Sequence, residues 1–214
     1  MDLDPSMLST AARYRLMTSC VVPRFIAWIS TISVDGSPNL APFSYATIAS
    51  HAPMSLLFVV AGPKPDGAPK DTLRNALPAT DGGTGEFVVH IVPEALAAAM
   101  ALSAAPLAHG ASELELTGLA TSASVRVRPP RVALAPAAFE CRTTRVLPVG
   151  SARVVIGEVL HVHLDDAVVD ERLRVDPDRL RAIGRMAGSA YARTTDRLTI
   201  DDERFFPGTE RSGS

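Results

Sequence analysis

The chain has 214 residues, of which 47% are hydrophobic and 21% charged, a composition that excludes disorder, collagen and coiled coil. The net charge is −2, so no overall field draws in nucleic acid or an anionic membrane, and neither is expected as a partner. Cys20 and Cys141 are too few for a disulfide framework or a metal cluster. The opening MDLDPSMLSTAARYR has early acids and no apolar run, so no signal peptide is expected. No apolar run approaches the ~20 residues that span a bilayer, and a cytoplasmic location follows as the expectation.

Residues 1–20 predict a lead-in helix, with Asp4-Pro5 as its start. Period two then takes over. Residues 26–33 (IAWISTIS) read as a strand, Asp35-Gly36-Ser37-Pro38 as a turn, and 39–50 as one return strand that begins irregularly. The near-continuous apolar run 54–61 predicts a buried strand. Residues 62–69 form a Pro/Gly loop, and Asp71 is the expected N-cap of a short helix running to about Leu77. Residues 86–92 predict a strand, and 93–103 an Ala-rich helix with Pro at its first position. Residues 104–124 read as an excursion rich in small residues, and 126–136 as loop or edge. A strand pair is expected over 138–149 and 152–165, then a short helix over 179–184. These strands are not separated by regular helices, which predicts a mainly β protein, an antiparallel barrel or sandwich of about six strands. One domain over 21–200 is expected between the lead-in and a disordered tail at 201–214.

No G-x-S-x-G nucleophile motif occurs, and Cys141 sits mid-strand, where a small buried side chain is the usual case. His161 and His163 lie two apart on one strand face. Such a pair can ligate a metal, but no third ligand is visible nearby, so a solvated face is the expectation and no metal is predicted. Gly82-Gly83-Thr84-Gly85 precedes a strand instead of a helix, which makes it a turn and not a phosphate loop.

The lysines stand apart. Of 21 basic residues only Lys64 and Lys70 are lysine, and both fall in one short stretch that ends in Lys70-Asp71-Thr72 at a helix start. That arrangement suits an anion, with a full charge, a hydroxyl and helix amides together. An ordinary capped surface helix with solvated lysines accounts for the same residues.

Several stretches together resemble the flavin reductase-like, FMN-binding split-barrel family. They are RFIAWISTISVDGSPNLAPFSY (24–45), PDGAPKDTLRN (65–75), GEFVVHIV (85–92), FECR (139–142), VVIGEVLHVHLDDAV (154–168) and IGRMAGSAYART (183–194), in the family's order. NLAPFS and KDTxxN are the specific pieces. The resemblance implies a six-stranded antiparallel split β-barrel of Greek-key topology with small helices, usually a homodimer. It implies FMN, with Asn39, Leu40, Ala41, Phe43 and Ser44 along the isoalloxazine and ribityl chain. Lys64, Lys70, Asp71 and Thr72 then fall at the phosphate, and Tyr191 near the flavin. An irregular strand start with unpaired amides would supply in-plane donors and acceptors to the ring. Phe25, Ala46, Thr47 and Pro63-Lys64 depart from the family's usual residues.

The activity this implies is flavin reduction. A hydride passes from NAD(P)H to flavin, and reducing equivalents continue to free flavin, oxygen or a monooxygenase partner. The cofactor carries the chemistry, which accounts for the missing acid–base constellation. Two other readings fit the same residues: a flavoredoxin-like FMN electron carrier reduced by a protein, and a flavin-free barrel acting as a binding module.

Overall fold

The computed structural model describes residues 1–64, 66–108, 111–198 and 200; the tail expected to be disordered lies outside them. Asp4 caps a single 3-10 turn, and Ser9 then caps α1 (Thr10–Cys20), its hydroxyl accepting from the Ala12 amide. β1 (Ala27–Ile32) is buried on both faces, which is why its sequence is apolar almost throughout and does not alternate. The Asp35-Gly36 turn returns the chain, with Gly36 at φ +93, into β2 (Pro38–Phe43). β3 (Ala46–His51) and β4 (Met54–Ala61) follow as a hairpin. Next come α2 (Asp71–Ala76), β5 (Glu86–Ile91), α3 (Ala97–Leu102) and α4 (Glu113–Thr117). The 93–103 region therefore splits into a 3-10 turn, Glu94–Leu96, and α3, with Pro93 just outside. The excursion is pinned by a two-residue ladder of β6 (Thr121–Ser122) and β7 (Arg131–Val132). The long hairpin β8 (Ala137–Val149) and β9 (Ala152–Leu164) matches its expected bounds to within a residue. α5 (Pro177–Leu180) ends earlier than the sequence suggests, and the last described elements are the hairpin β10 (Ile183–Arg185) and β11 (Tyr191–Arg193).

The principal sheet has seven strands in the order β2-β1-β5-β8-β9-β4-β3, all antiparallel. The expectation of six is corrected because residues 39–50 are two strands and not one. The chain bends at Ser44-Tyr45 and leaves one edge of the sheet for the other. No ladder joins β2 to β3 among the described residues, so the barrel is not closed by hydrogen bonds. The two edges are instead tied by the chain itself. Three peptide links from Phe43 to Ala46 reach at most about 11 Å, so the sheet must curl until its edges nearly meet. Phe43 packs on Phe58 of β4 at 5.3 Å between ring centroids, and the Val59 amide donates to the Tyr45 carbonyl across 2.8 Å.

Period two sorts the side chains into two cores. Ile29, Phe43, Phe58, Phe87, Cys141 and Val155 fill the inside of the curl. Trp28, Leu40, Val92, Met100, Leu114 and Val132 face outward under α3 and α4. Trp28 is fully buried there and its indole donates to the Ser103 hydroxyl at 2.9 Å, which fixes the end of α3. Among the described residues no helix is long and apolar enough to cross a membrane.

Candidate functional site

A cavity of about 400 Å³ opens beside the β2 edge, between the 63–72 segment, the 103–107 segment and α4. Of the ten residues expected to hold a cofactor, Asn39, Ala41, Phe43, Lys64, Lys70, Asp71 and Thr72 line it. They converge because Asn39, Ala41 and Phe43 share one face of β2, and α2 packs against that face. Asn39 and Thr72 are buried, and the Asn39 amide donates to the Thr72 hydroxyl at 2.9 Å and toward Thr31 at 3.3 Å. Asn75 donates to the same Thr31 hydroxyl at 3.0 Å. This network locks α2 to β1 and β2. The glycine turn closes the other end of the helix, for Thr84 and Gly85 donate their amides to the Asn75 carbonyl. A Cβ on Gly83 would fall 2.1 Å from the Leu77 carbonyl oxygen, so only glycine permits that approach.

Three expected residues lie elsewhere. Leu40 points to the outer core and is fully buried, because alternation turns it away from Asn39 and Ala41. Ser44 sits at the bend and faces a second cavity, of about 530 Å³, with Phe25, Tyr45 and Thr47. Its hydroxyl accepts from the Arg24 guanidinium at 3.4 Å. Tyr191 is on the terminal hairpin, packed against the outer core, with the Arg185 guanidinium 4.6 Å above its ring.

The polar ends of the cavity are also rearranged. Lys70, and not Asp71, occupies the N-cap position of α2. Asp71 is the first helical residue and pairs with Lys64 at 2.5 Å and Arg74 at 3.8 Å. Lys64 is therefore already neutralised, while Lys70 makes no ion pair among the described residues. With only six residues, α2 adds little dipole, so Lys70 carries the positive charge of this wall.

The idea of free amides along β2 also fails. The Leu40 amide donates to Glu113 Oε2 at 3.0 Å, which sets residues 38, 40 and 42 with their backbone groups facing away from β1. Two of these are prolines and have no amide to give. The outer edge of β2 thus presents carbonyls, and its single amide is taken. Pro38 and Pro42 keep the edge from pairing with another strand.

Glu113 lines the cavity and is missing from the sequence reading. It belongs to the small-residue excursion, 73 positions from the amide it accepts. The available signal was a serine followed by a carboxylate: Ser112 caps α4 and accepts from the Leu114 amide at 3.2 Å. Burial pushes the Glu113 carboxyl above the ordinary glutamate range, against the opposing pull of the Leu40 amide.

His161 and His163 do share a face, with ring centroids 4.5 Å apart, but the face is not simply solvated. His163 Nε2 lies 2.5 Å from the buried Glu140 carboxylate. Among the described residues no group of three or more His, Cys, Asp or Glu is placed to hold a metal.

The described residues form a curled, seven-stranded antiparallel sheet with a few short helices and a ligand-sized cavity at one edge. Residues 17–184 match the flavin reductase like domain, and the chain belongs to that family. Nitrilotriacetate monooxygenase component B from Bacillus cereus is similar in structure, with a TM-score of 0.87 and 30% identity over 94% of this chain and 98% of its own. The 2-nitrobenzoate 2-nitroreductase of Pseudomonas fluorescens gives 0.84 and 29% over 98% and 100%. A split-barrel protein of Shewanella frigidimarina, 19% identical, shares the fold at 0.80 over 94% and 98%.

Proposed function

We propose that the chain is an FMN-dependent oxidoreductase that takes a hydride from NAD(P)H and passes reducing equivalents to a separate acceptor. The observation that carries this is the cavity beside β2, where Lys70, a lysine without an ion pair among the described residues, stands at the end of a wall formed by Ala41, Pro42 and Phe43. Its volume lies within the usual range for small-ligand sites, about 300–1,000 Å³. Lys70 would hold the phosphate. The flat stretch Ala41–Phe43 would support the ring system, and the 103–107 segment would exclude water from it. When bound, FMN supplies the hydride-accepting chemistry, so the chain needs only to bind, orient and shield. Family membership and the reductase among the structural neighbours support this reading. The resemblance to a monooxygenase component supports a monooxygenase as one acceptor.

The test is the visible spectrum of protein titrated with FMN, before and after anaerobic NADH or NADPH. Flavin bound at micromolar concentration and bleached by either nicotinamide is expected. Failure to bind FMN overturns the reading. Bound flavin that neither nicotinamide bleaches moves the donor to a protein partner.

The same reading includes a homodimer. In the 104–136 excursion Leu114, Val127 and Val132 are buried against the chain's own sheet, while Leu116, Val125 and Leu134 are exposed and could meet a second copy. Support comes also from the β3–β4 hairpin at the sheet edge, where Ile48 of β3 and Met54 of β4 are exposed. A sedimenting species of 22.6 kDa at micromolar concentration would overturn the dimer.

A further inference from the structure

Glu113 is 6% exposed, lines the cavity, and has one carboxylate oxygen held by the Leu40 amide. No basic side chain pairs with it among the described residues; the other acid of the lining, Asp71, has both Lys64 and Arg74. A carboxylate is an acceptor only, with about four lone-pair sites. The Leu40 amide and Glu113's own amide leave about half of that capacity unused in a side chain shielded from water, and burying such a group without donors is costly. Glu113 lines the cavity, so an occupant's donors can fill the remaining sites. An anionic group has no donor to offer. Neutral hydroxyls suit the site best.

We propose that Glu113 sets the ligand specificity of this cavity by accepting hydrogen bonds from the hydroxyl groups of the ligand's polyol chain. This rests on the flavin reading above and deepens it: Lys70 takes the anionic end of FMN and Glu113 takes the ribityl hydroxyls. Two opposite charges on one cavity wall then read two chemically different parts of one molecule. The upward displacement of the Glu113 carboxyl by burial agrees with a group whose acceptor capacity is unfilled in the free protein.

The experiment titrates three flavins into apoprotein by quenching of flavin fluorescence. Lumiflavin has the ring alone, riboflavin adds the polyol, and FMN adds the phosphate. In the wild type, riboflavin is expected to bind about tenfold more tightly than lumiflavin, in line with a charge-assisted hydrogen bond. Glu113→Gln keeps an oxygen for the Leu40 amide but removes the charge. It is expected to weaken FMN and riboflavin about 3- to 30-fold and to leave lumiflavin within about twofold. Equal losses for all three, or no loss for any, overturn the proposal. If Glu113→Gln does not fold, the wild-type comparison still decides, since equal affinity for riboflavin and lumiflavin overturns it. A wild type that binds none of the three overturns the flavin reading itself.

Discussion

His90 and Glu140, on the outer face of the sheet, are fully buried polar groups answered entirely within the chain. His90 Nδ1 donates to the Trp28 carbonyl at 2.8 Å and Nε2 accepts from the Val132 amide at 3.0 Å, which fixes one neutral tautomer. Glu140 takes the amides of Val125 and Arg126 and the ring of His163. At the β2 edge, Lys70 and Glu113 face a cavity, and among the described residues one has no counter-ion and the other only two backbone donors. Burial and displaced pKa values occur in both regions and so do not distinguish structure from function here. Unused hydrogen-bonding and charge capacity does.

The largest effect is expected at Glu140. Glu140→Ala would leave the part-buried Val125 and Arg126 amides and His163 without their acceptor and open a hole in the sheet, and a loss of about 3 kcal/mol in unfolding free energy is expected. Urea unfolding measures it. Flavin affinity of the folded fraction should not change, and a selective loss of affinity at full stability would make this region part of the site.

Acid should act oppositely on the two regions. Burial lowers the His90 pKa from 6.5 to about 4. Between those values the unfolded chain binds a proton that the native ring refuses, so the His90 contribution is complete above about 6.5 and is lost as pH falls toward 4. At about 1.4 kcal/mol per pH unit the loss approaches roughly 3 kcal/mol. Histidine NMR should show His90 neutral at pH 5, and a ring that titrates near 6.5 would contradict this. Glu113 is displaced upward, so its contribution is greatest in acid and fades as pH rises. Glu113→Gln should therefore gain stability relative to wild type at neutral pH and lose that advantage in acid.

Within the cavity, Lys70→Ala should weaken FMN about 10- to 150-fold, the worth of a charge-assisted contact, and scarcely affect riboflavin. Equal losses for both ligands would mean that Lys70 acts through the fold. The smallest effect is expected at Lys64. Its charge is already matched by Asp71 in a partly exposed pair, so Lys64→Ala should change FMN affinity by less than about threefold. A loss as large as that of Lys70→Ala would show that the Lys64–Asp71 pair opens for the ligand.

Much of this molecule was determined locally by its sequence. β4 coincides with the apolar run 54–61, and the long hairpin with the alternating stretches that flank Gly150. The Pro/Gly loop with its two lysines and Lys70-Asp71-Thr72 also lay open to reading, as did the family resemblance that residues 17–184 bear out. These are properties of neighbouring residues: periodicity, turn chemistry and short motifs. What only the tertiary structure decided depends on residues far apart. The bend at Ser44-Tyr45 sends one apparent strand to both edges of the sheet, because the curl brings those edges together. Alternation on an edge strand turns Leu40 away from the cavity and leaves its amide for Glu113, 73 residues on. Lys64 meets Asp71, and His163 meets Glu140, through folding of the loop and the hairpin. A side chain's remaining capacity is whatever its partners leave, and the fold selects those partners.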